Sequence, residues 1–348
     1  MEKSEKRYRF FTKFTAICVL VVVLAGSLVK VTGSGMGCPD WPKCLGHYIP
    51  PFSEDEVIWN ENNAYFKGQM VLHQGRWFTA LDKIPAHTQF NSQQWELFTK
   101  HNYTTYNPTH TFIEYINRLA TVVLGVVVLL MLWYAFKIRA KSYFPLIFSI
   151  VIFILILFEA WLGRLVVDSD LSPIKISIHL YAALLIVAIV GAMLAITGKA
   201  RDFGKYIENK QLFLLWMMLL ILSGQMFLGT KLREMIDVFA RQNLFLRENW
   251  IEQSGLRFIV HRSFSLIYLA LVVVTYVKTR YLRNEYPFIQ NLFTILLSVL
   301  GLEILSGVIM AYFSVPAAMQ PTHVVISGAL ILSQTYLTVK FFWEKKIG

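Results

Sequence analysis

Glu114–Ala120 reads EYINRLA and opens a long apolar stretch, and 144 positions later Phe258–Phe264 reads FIVHRSF and opens another. Asn117-Arg118 thus matches His261-Arg262, and the same offset pairs Glu159 with Glu303, Gly163 with Gly307 and His179 with His323. At an offset of 198, Gly26 matches Gly224 and Thr32 matches Thr230, so the extra 54 residues fall in the connection after the first apolar stretch. A repeat of this length identifies one structural unit used twice. The two copies differ at the quoted stretch: one carries a histidine, the other an asparagine with a carboxylate three residues before it.

The composition says where such units reside. Of 348 residues, 55% are hydrophobic and 16% charged, and the mean hydropathy is +0.50. This is too apolar for a water-soluble chain. Stretches of about 20 apolar residues recur eight times, at roughly 11–31, 109–136, 143–166, 174–197, 211–232, 255–277, 287–312 and 321–342. The first has no small-residue cleavage site, and it is read as a retained helix. Lysine and arginine gather in alternate short connections (Lys137, Arg139, Lys141; Lys199, Arg201, Lys205; Lys278, Arg280, Arg283) and in both tails. By the positive-inside rule these mark the cytoplasm. The net charge of +11 is assigned to loops beside anionic lipid, and no motif asks for nucleic acid.

The expected fold is an all-α membrane protein with eight transmembrane helices, arranged as two four-helix bundles. Four helices per copy give both copies the same sense, so the bundles are expected to be related by a pseudo-two-fold axis along the membrane normal. The division is 1–198 and 199–348, with N- and C-termini cytoplasmic and a long first outer loop over 32–108. Trp41, Trp59, Trp77 and Trp95 in that loop are read as packing or interfacial anchors of a folded cap.

His179, His261 and His323 all fall within about two turns of the outer ends of their helices. Ionisable groups inside a membrane default to functional readings, and His261 and His323 come from two helices of one copy. As a facing pair they suit the two axial positions of a haem iron, whereas zinc asks for further acid or thiol ligands close by. The other copy has His179 but Asn117 in place of the second histidine. His110, seven residues earlier and about 10 Å higher by helical rise, does not replace it. Iron there has one protein ligand, or another group takes the sixth position, and an open iron meets oxygen where a bis-histidine iron passes electrons.

Glu114 belongs to the first copy alone, because its counterpart is Phe258. It shares a helix face with Asn117, and beside a haem edge a carboxylate stabilises cationic species or moves protons. The alternative is a structural acid paired with Arg118 or Arg164. Arg118 and Arg262 are partners for haem propionates or for lipid phosphate, with neither preferred. Glu159 and Glu303, being symmetric, read as shared structure bonded between helices. On an oxidising outer face Cys38 and Cys44 are expected to form a disulfide, redox-active or a structural staple, and Cys18 is packing.

These residues resemble a known family. TGSGMGCPDWPKC over Thr32–Cys44, EYINR, IHL around His179, VHR around His261 and THVV from Thr322 are similar to the haem A synthase family of cytochrome oxidase assembly proteins, over nearly the whole chain. The resemblance implies oxidation of the C8 methyl of haem O to a formyl group, giving haem A, by successive oxygen-dependent hydroxylations. It implies haem b on His261 and His323 in the C-terminal half, His179 as ligand to the substrate haem iron in the N-terminal half, Glu114 as the essential carboxylate and a Cys38–Cys44 disulfide. Many family members carry a histidine where this chain has Asn117. Implied partners are haem O, oxygen, an electron donor the sequence does not name and the enzyme that makes haem O, with the oligomeric state open. The implied location is a bacterial-type inner membrane, outer loop on the oxidising side. The competing readings are a non-enzymatic haem b carrier, chaperone or electron-transfer cytochrome, and a transporter; the last lacks its usual broken helices, since Pro145, Pro173, Pro287, Pro316 and Pro321 lie near span ends.

Overall fold

In the computed structural model, which describes residues 2–99 and 106–347, eight helices among those residues are long and apolar enough to cross a membrane. They are α1 (Glu2–Val31), α2 (Pro108–Ile138), α3 (Phe144–Asp168), α4 (Pro173–Thr197), α5 (Asn209–Gln242), α6 (Leu256–Lys278), α7 (Pro287–Tyr312) and α8 (Met319–Ile347). Short helical turns at Trp250–Gln253 and Arg280–Glu285 lie in the connections. Large apolar side chains stay exposed along the helices, among them Val122, Ile154 and Leu220. A surface of that kind is stable only against lipid.

The helix ends follow local chemistry. Proline opens α2 and α4, where its missing N–H costs nothing, and the Asn107 side chain caps α2 by accepting from His110 N–H. Glu208 and Gln211 form a capping box at the start of α5. Three helices outrun their apolar stretches: α1 starts at Glu2, α5 runs on to Gln242 and α8 to Ile347. Hydropathy ends where charge begins, but a helix continues when those charges pair one turn apart, as Lys6 does with Glu2 at 2.8 Å and Lys340 with Glu344 at 2.6 Å.

Packing repeats with the sequence. In the front half α1 packs on α2 and α4, and α3 on α2 and α4; in the rear half α5 packs on α6 and α8, and α7 on α6 and α8. The halves meet mainly through α4 and α8, flanked by α1 on α8 and α4 on α5. Gly191 makes the central crossing close: a Cβ there would stand 2.8 Å from the Leu332 carbonyl oxygen. Small residues allow such approach in a membrane, where hydrophobic driving force between helices is missing. Polar side chains add to it, for Tyr268 donates to Gln334 at 2.9 Å and Gln334 donates to the Leu215 carbonyl across helices.

Contacts also sort the connections by end. Glu5 meets Lys141 at 2.9 Å, Lys340 donates to the Lys199 carbonyl, and Lys345 donates to Asn209. Both termini and the basic connections therefore share one end. At the other end the outer loop folds into a cap with an antiparallel sheet of β1 (Met70–His73), β2 (Arg76–Ala80) and β3 (Trp95–Leu97). Gln74 and Gly75, both at positive φ, make the two-residue turn that a tight hairpin favours. Trp77 and Trp95 are buried in the two small cores of the cap and Trp41 is exposed. Residues 100–105 of the expected 32–108 loop lie outside the described residues.

Candidate functional site

Each half carries the same three residues at the outer end of its third and fourth helices. In the front half, Glu159 of α3 lies 2.5 Å from Nδ1 of His179 on α4, and a Cβ on Gly163 would sit 3.8 Å from the same ring. In the rear half, Glu303 of α7 lies 3.2 Å from Nε2 of His323 on α8, with Gly307 3.5 Å from that ring by the same construction. The paired glutamates, expected to be bonded between helices, meet the histidines themselves.

The rear half has hydroxyls that the front half lacks. Ser306 Oγ stands 2.8 Å from His323 Nδ1, and Ser327 donates to Glu303. Their counterparts at the 144 offset are Leu162 and Ala183. The rear half also has His261, whose Nδ1 lies 3.1 Å from Gln225 Nε2 on α5, and His261 and His323 are within electrostatic reach of each other. Gly229 makes room for that ring: a Cβ there would lie 2.8 Å from His261 Cε1. In the front half the corresponding position is Val31 and the histidine is Asn117, whose Oδ1 faces Gly26 of α1.

In the rear half both histidines have Nδ1 within hydrogen-bond distance of a side chain, Gln225 or Ser306, whereas His179 Nδ1 lies close to Glu159 without a hydrogen bond. A ring oriented through Nδ1 turns Nε2 toward a ligand, the arrangement seen behind most metal-bound imidazoles, although Nε2 of His323 itself faces Glu303 at 3.2 Å. Gln225 Oε1 and Glu303 Oε2 are buried without a hydrogen-bond partner beside the rear pair. The donor set fits a haem iron, which needs only two imidazoles. Among the described residues no three Cys, His, Asp or Glu come together as a metal-holding group, so a four-ligand zinc site has no donors here.

Glu114 has a different surrounding. It is 4% exposed; its Oε2 accepts the Cys38 N–H at 2.7 Å and its Oε1 the Arg118 guanidinium at 2.5 Å. Arg118 also donates to the carbonyls of Cys38, Asp40 and Lys43 at 2.7–2.8 Å. Its guanidinium therefore clamps the loop that begins the cap, while Arg262 lies over the Phe258 ring at 5.7 Å and Arg164 pairs with Asp168. The clamped loop is closed by the Cys38–Cys44 disulfide and caged by Asp40, which accepts from Leu45 and Gly46 N–H. Thr111 donates to the Gly37 carbonyl at 2.9 Å, and a Cβ on Gly37 would clash with the His110 carbonyl at 2.5 Å. Outside the membrane, burial holds the His47 imidazole below the ordinary histidine range against the pull of Asp40 and Glu56.

Gln225, Ser306 and Gly229 were not singled out by sequence reading. The signal available for Gln225 is an amide inside an apolar span, which must find a partner there. Ser306 and Gly229 are ordinary membrane-helix residues, and only packing reveals their task.

Eight apolar helices with a disulfide-closed cap define an integral membrane protein, with a histidine–glutamate pair between helices in each half. The COX15-CtaA family model, described as cytochrome oxidase assembly protein, matches residues 9–75 and 64–335, and the chain belongs to that family. It is similar to haem A synthase of Rickettsia africae (strain ESF-5), 23% identical over 93% of this chain and 94% of the relative. It is similar to haem A synthase of Shewanella oneidensis, 23% identical over 96% of each chain. A shorter match, 46% identical over 54 residues, links it to haem A synthase of Alkalihalophilus pseudofirmus, covering 15% of this chain and 18% of the relative.

Proposed function

We propose that this chain is a haem A synthase, a membrane oxidoreductase that converts the C8 methyl of haem O to a formyl group in the front half and holds haem b in the rear half. The observation that carries the reading is one site used twice and altered once: His179 and His323 keep the same place and the same glutamate, while His261 is matched by Asn117. The rear half retains two strong ligands, and the front half gives up one so that its porphyrin is free to react and leave.

Each hydroxylation consumes one O2, two electrons and two protons and releases one water; the second leaves a geminal diol that loses water to the aldehyde. Haem b, when bound, supplies one-electron transfer. His261 and His323 hold it, with Gln225 and Ser306 fixing the rings. His179, beside Glu159, binds the iron of haem O. Glu114 and Arg118 keep the disulfide loop seated on α2 at the outer end of the front half, and Glu114 places a carboxylate there that the rear half lacks. The basic loops at the opposite end make the side of the cap the outer face of an inner membrane.

Glu114 has both an anchoring and a chemical role open to it, and two substitutions separate them. In cells producing haem O, Glu114→Ala and Glu114→Gln both abolish haem A in extracted pigment while haem b stays bound. Gln still accepts the Cys38 N–H, so haem A made at wild-type yield by Glu114→Gln would reduce Glu114 to an anchor. Haem b extracted alone from the wild-type protein in such cells would favour the carrier or electron-transfer reading.

A further inference from the structure

The end that carries both termini holds a cavity of about 420 Å³, within the roughly 300–1,000 Å³ span of small-molecule sites. It lies where α1, the end of α4 and α8 meet, far along the helices from the histidines. Arg9 and Lys13 of α1, Lys199 and Arg201 of the turn after α4, and Tyr336 of α8 line it, and no carboxylate does. Arg9 and Lys13 stand four residues apart and so share one helix face.

Basic residues are expected at this face, but their convergence is not. Several other cations on it have partners: Lys141 has Glu5, Lys345 has Asn209, and Lys137 lies over the Trp133 ring. Around the cavity, Arg9, Lys13 and Lys199 have no acid partner among the described residues. The Arg201 guanidinium rests on the Phe288 ring. Of the nearby acids, Glu344 is 1% exposed and engaged by Lys340 and by the N–H groups of Arg201 and Asp202, and Glu5 pairs with Lys141. Four cations around one cavity repel one another until an anion joins them, and Tyr336 brings a hydroxyl to the same wall.

We infer that this cavity binds a phosphate group, carried by an anionic phospholipid headgroup or by a soluble phosphate, with Arg9, Lys13, Lys199 and Arg201 as its ligands. Basic pockets between helices on the cytoplasmic side are the usual seat of anionic headgroups. A phosphate here bridges α1 and the α4 turn of the front half to α8 of the rear half, at the seam between the repeats.

The test uses the purified full chain in detergent. Native mass spectrometry with added dioleoylphosphatidylglycerol or dioleoylphosphatidylcholine reads lipid retention, and equilibrium dialysis with labelled inorganic phosphate reads the soluble anion. The expected result is preferential retention of phosphatidylglycerol, weakened roughly thirtyfold by Lys199→Gln with Arg201→Gln and unchanged by Lys278→Gln with Arg280→Gln, which lie outside the cavity. Phosphate uptake abolished by the first pair, without lipid preference, assigns the same site to a soluble phosphate. Equal retention of the two lipids together with no phosphate uptake by the wild-type chain overturns the inference, and that arm needs no variant. So does a preference that survives both the Lys199/Arg201 pair and Arg9→Gln with Lys13→Gln.

Discussion

Gly229 and His261 are one decision made in two places. The imidazole occupies space that a Cβ would fill at 2.8 Å from Cε1, so the histidine is possible only because the facing helix has no side chain there. The front half reverses both choices, with Val31 and Asn117. Gly229→Val restores the front-half bulk in the rear half and forces the ring aside. Overpacking of this kind costs about 1–3 kcal/mol, and we expect the apparent affinity for haem, read as haem retained per chain after purification, to fall by roughly fivefold to 150-fold across that range. A haem-to-protein ratio equal to that of the wild type would show that His261 does not need the room. Nothing in the sequence ranks Gly229 above the other glycines, because its meaning depends on a side chain from another helix.

The disulfide-closed loop is the element that most changes the reading of Glu114. Its carboxylate and the Cys38 amide are 76 positions apart in sequence, and no periodicity connects them. The sequence places Glu114 on the face of Asn117 and offers Arg118 as one of its partners; the structure adds that Arg118 also holds three loop carbonyls. The disulfide and a folded cap were legible from two cysteines on an outer face, whereas the small sheet was not, since its strands are only three to five residues long. His47 gives the loop a pH dependence. Its backbone pairs with Cys44 in both directions, and its pKa is lowered by burial, so the unfolded loop binds a proton more readily than the folded one. Stability is therefore full above the ordinary histidine value of about 6.5 and declines as pH falls through it. Hydrogen exchange at the amides of residues 44–47 should quicken relative to the helices between pH 7.5 and 5.5, and His47→Gln should remove that change. Exchange that keeps the same pH response in His47→Gln would assign it to another group.

At the scale of the whole molecule, the eight helices follow from apolar length, and the 144-residue offset supplies the reading of a doubled unit with histidines at a shared depth. Those signals are strong because a bilayer fixes both the length and the polarity of whatever crosses it. The contacts between halves were not legible: Gly191 against Leu332 and the cations gathered at the α1, α4 and α8 junction come from packing between surfaces that are apolar or basic throughout. The account rests on paired imidazoles holding iron in the rear half, and one measurement addresses it most directly. Absorption and electron paramagnetic resonance spectra are recorded on the purified oxidised and reduced chain, wild type beside His261→Ala, His323→Ala and His179→Ala. A low-spin b-type signal in the wild type, lost or converted to high spin in the first two variants and retained in the third, is the predicted result; a wild-type chain with no Soret band, or a low-spin signal unaltered by either rear substitution, contradicts it.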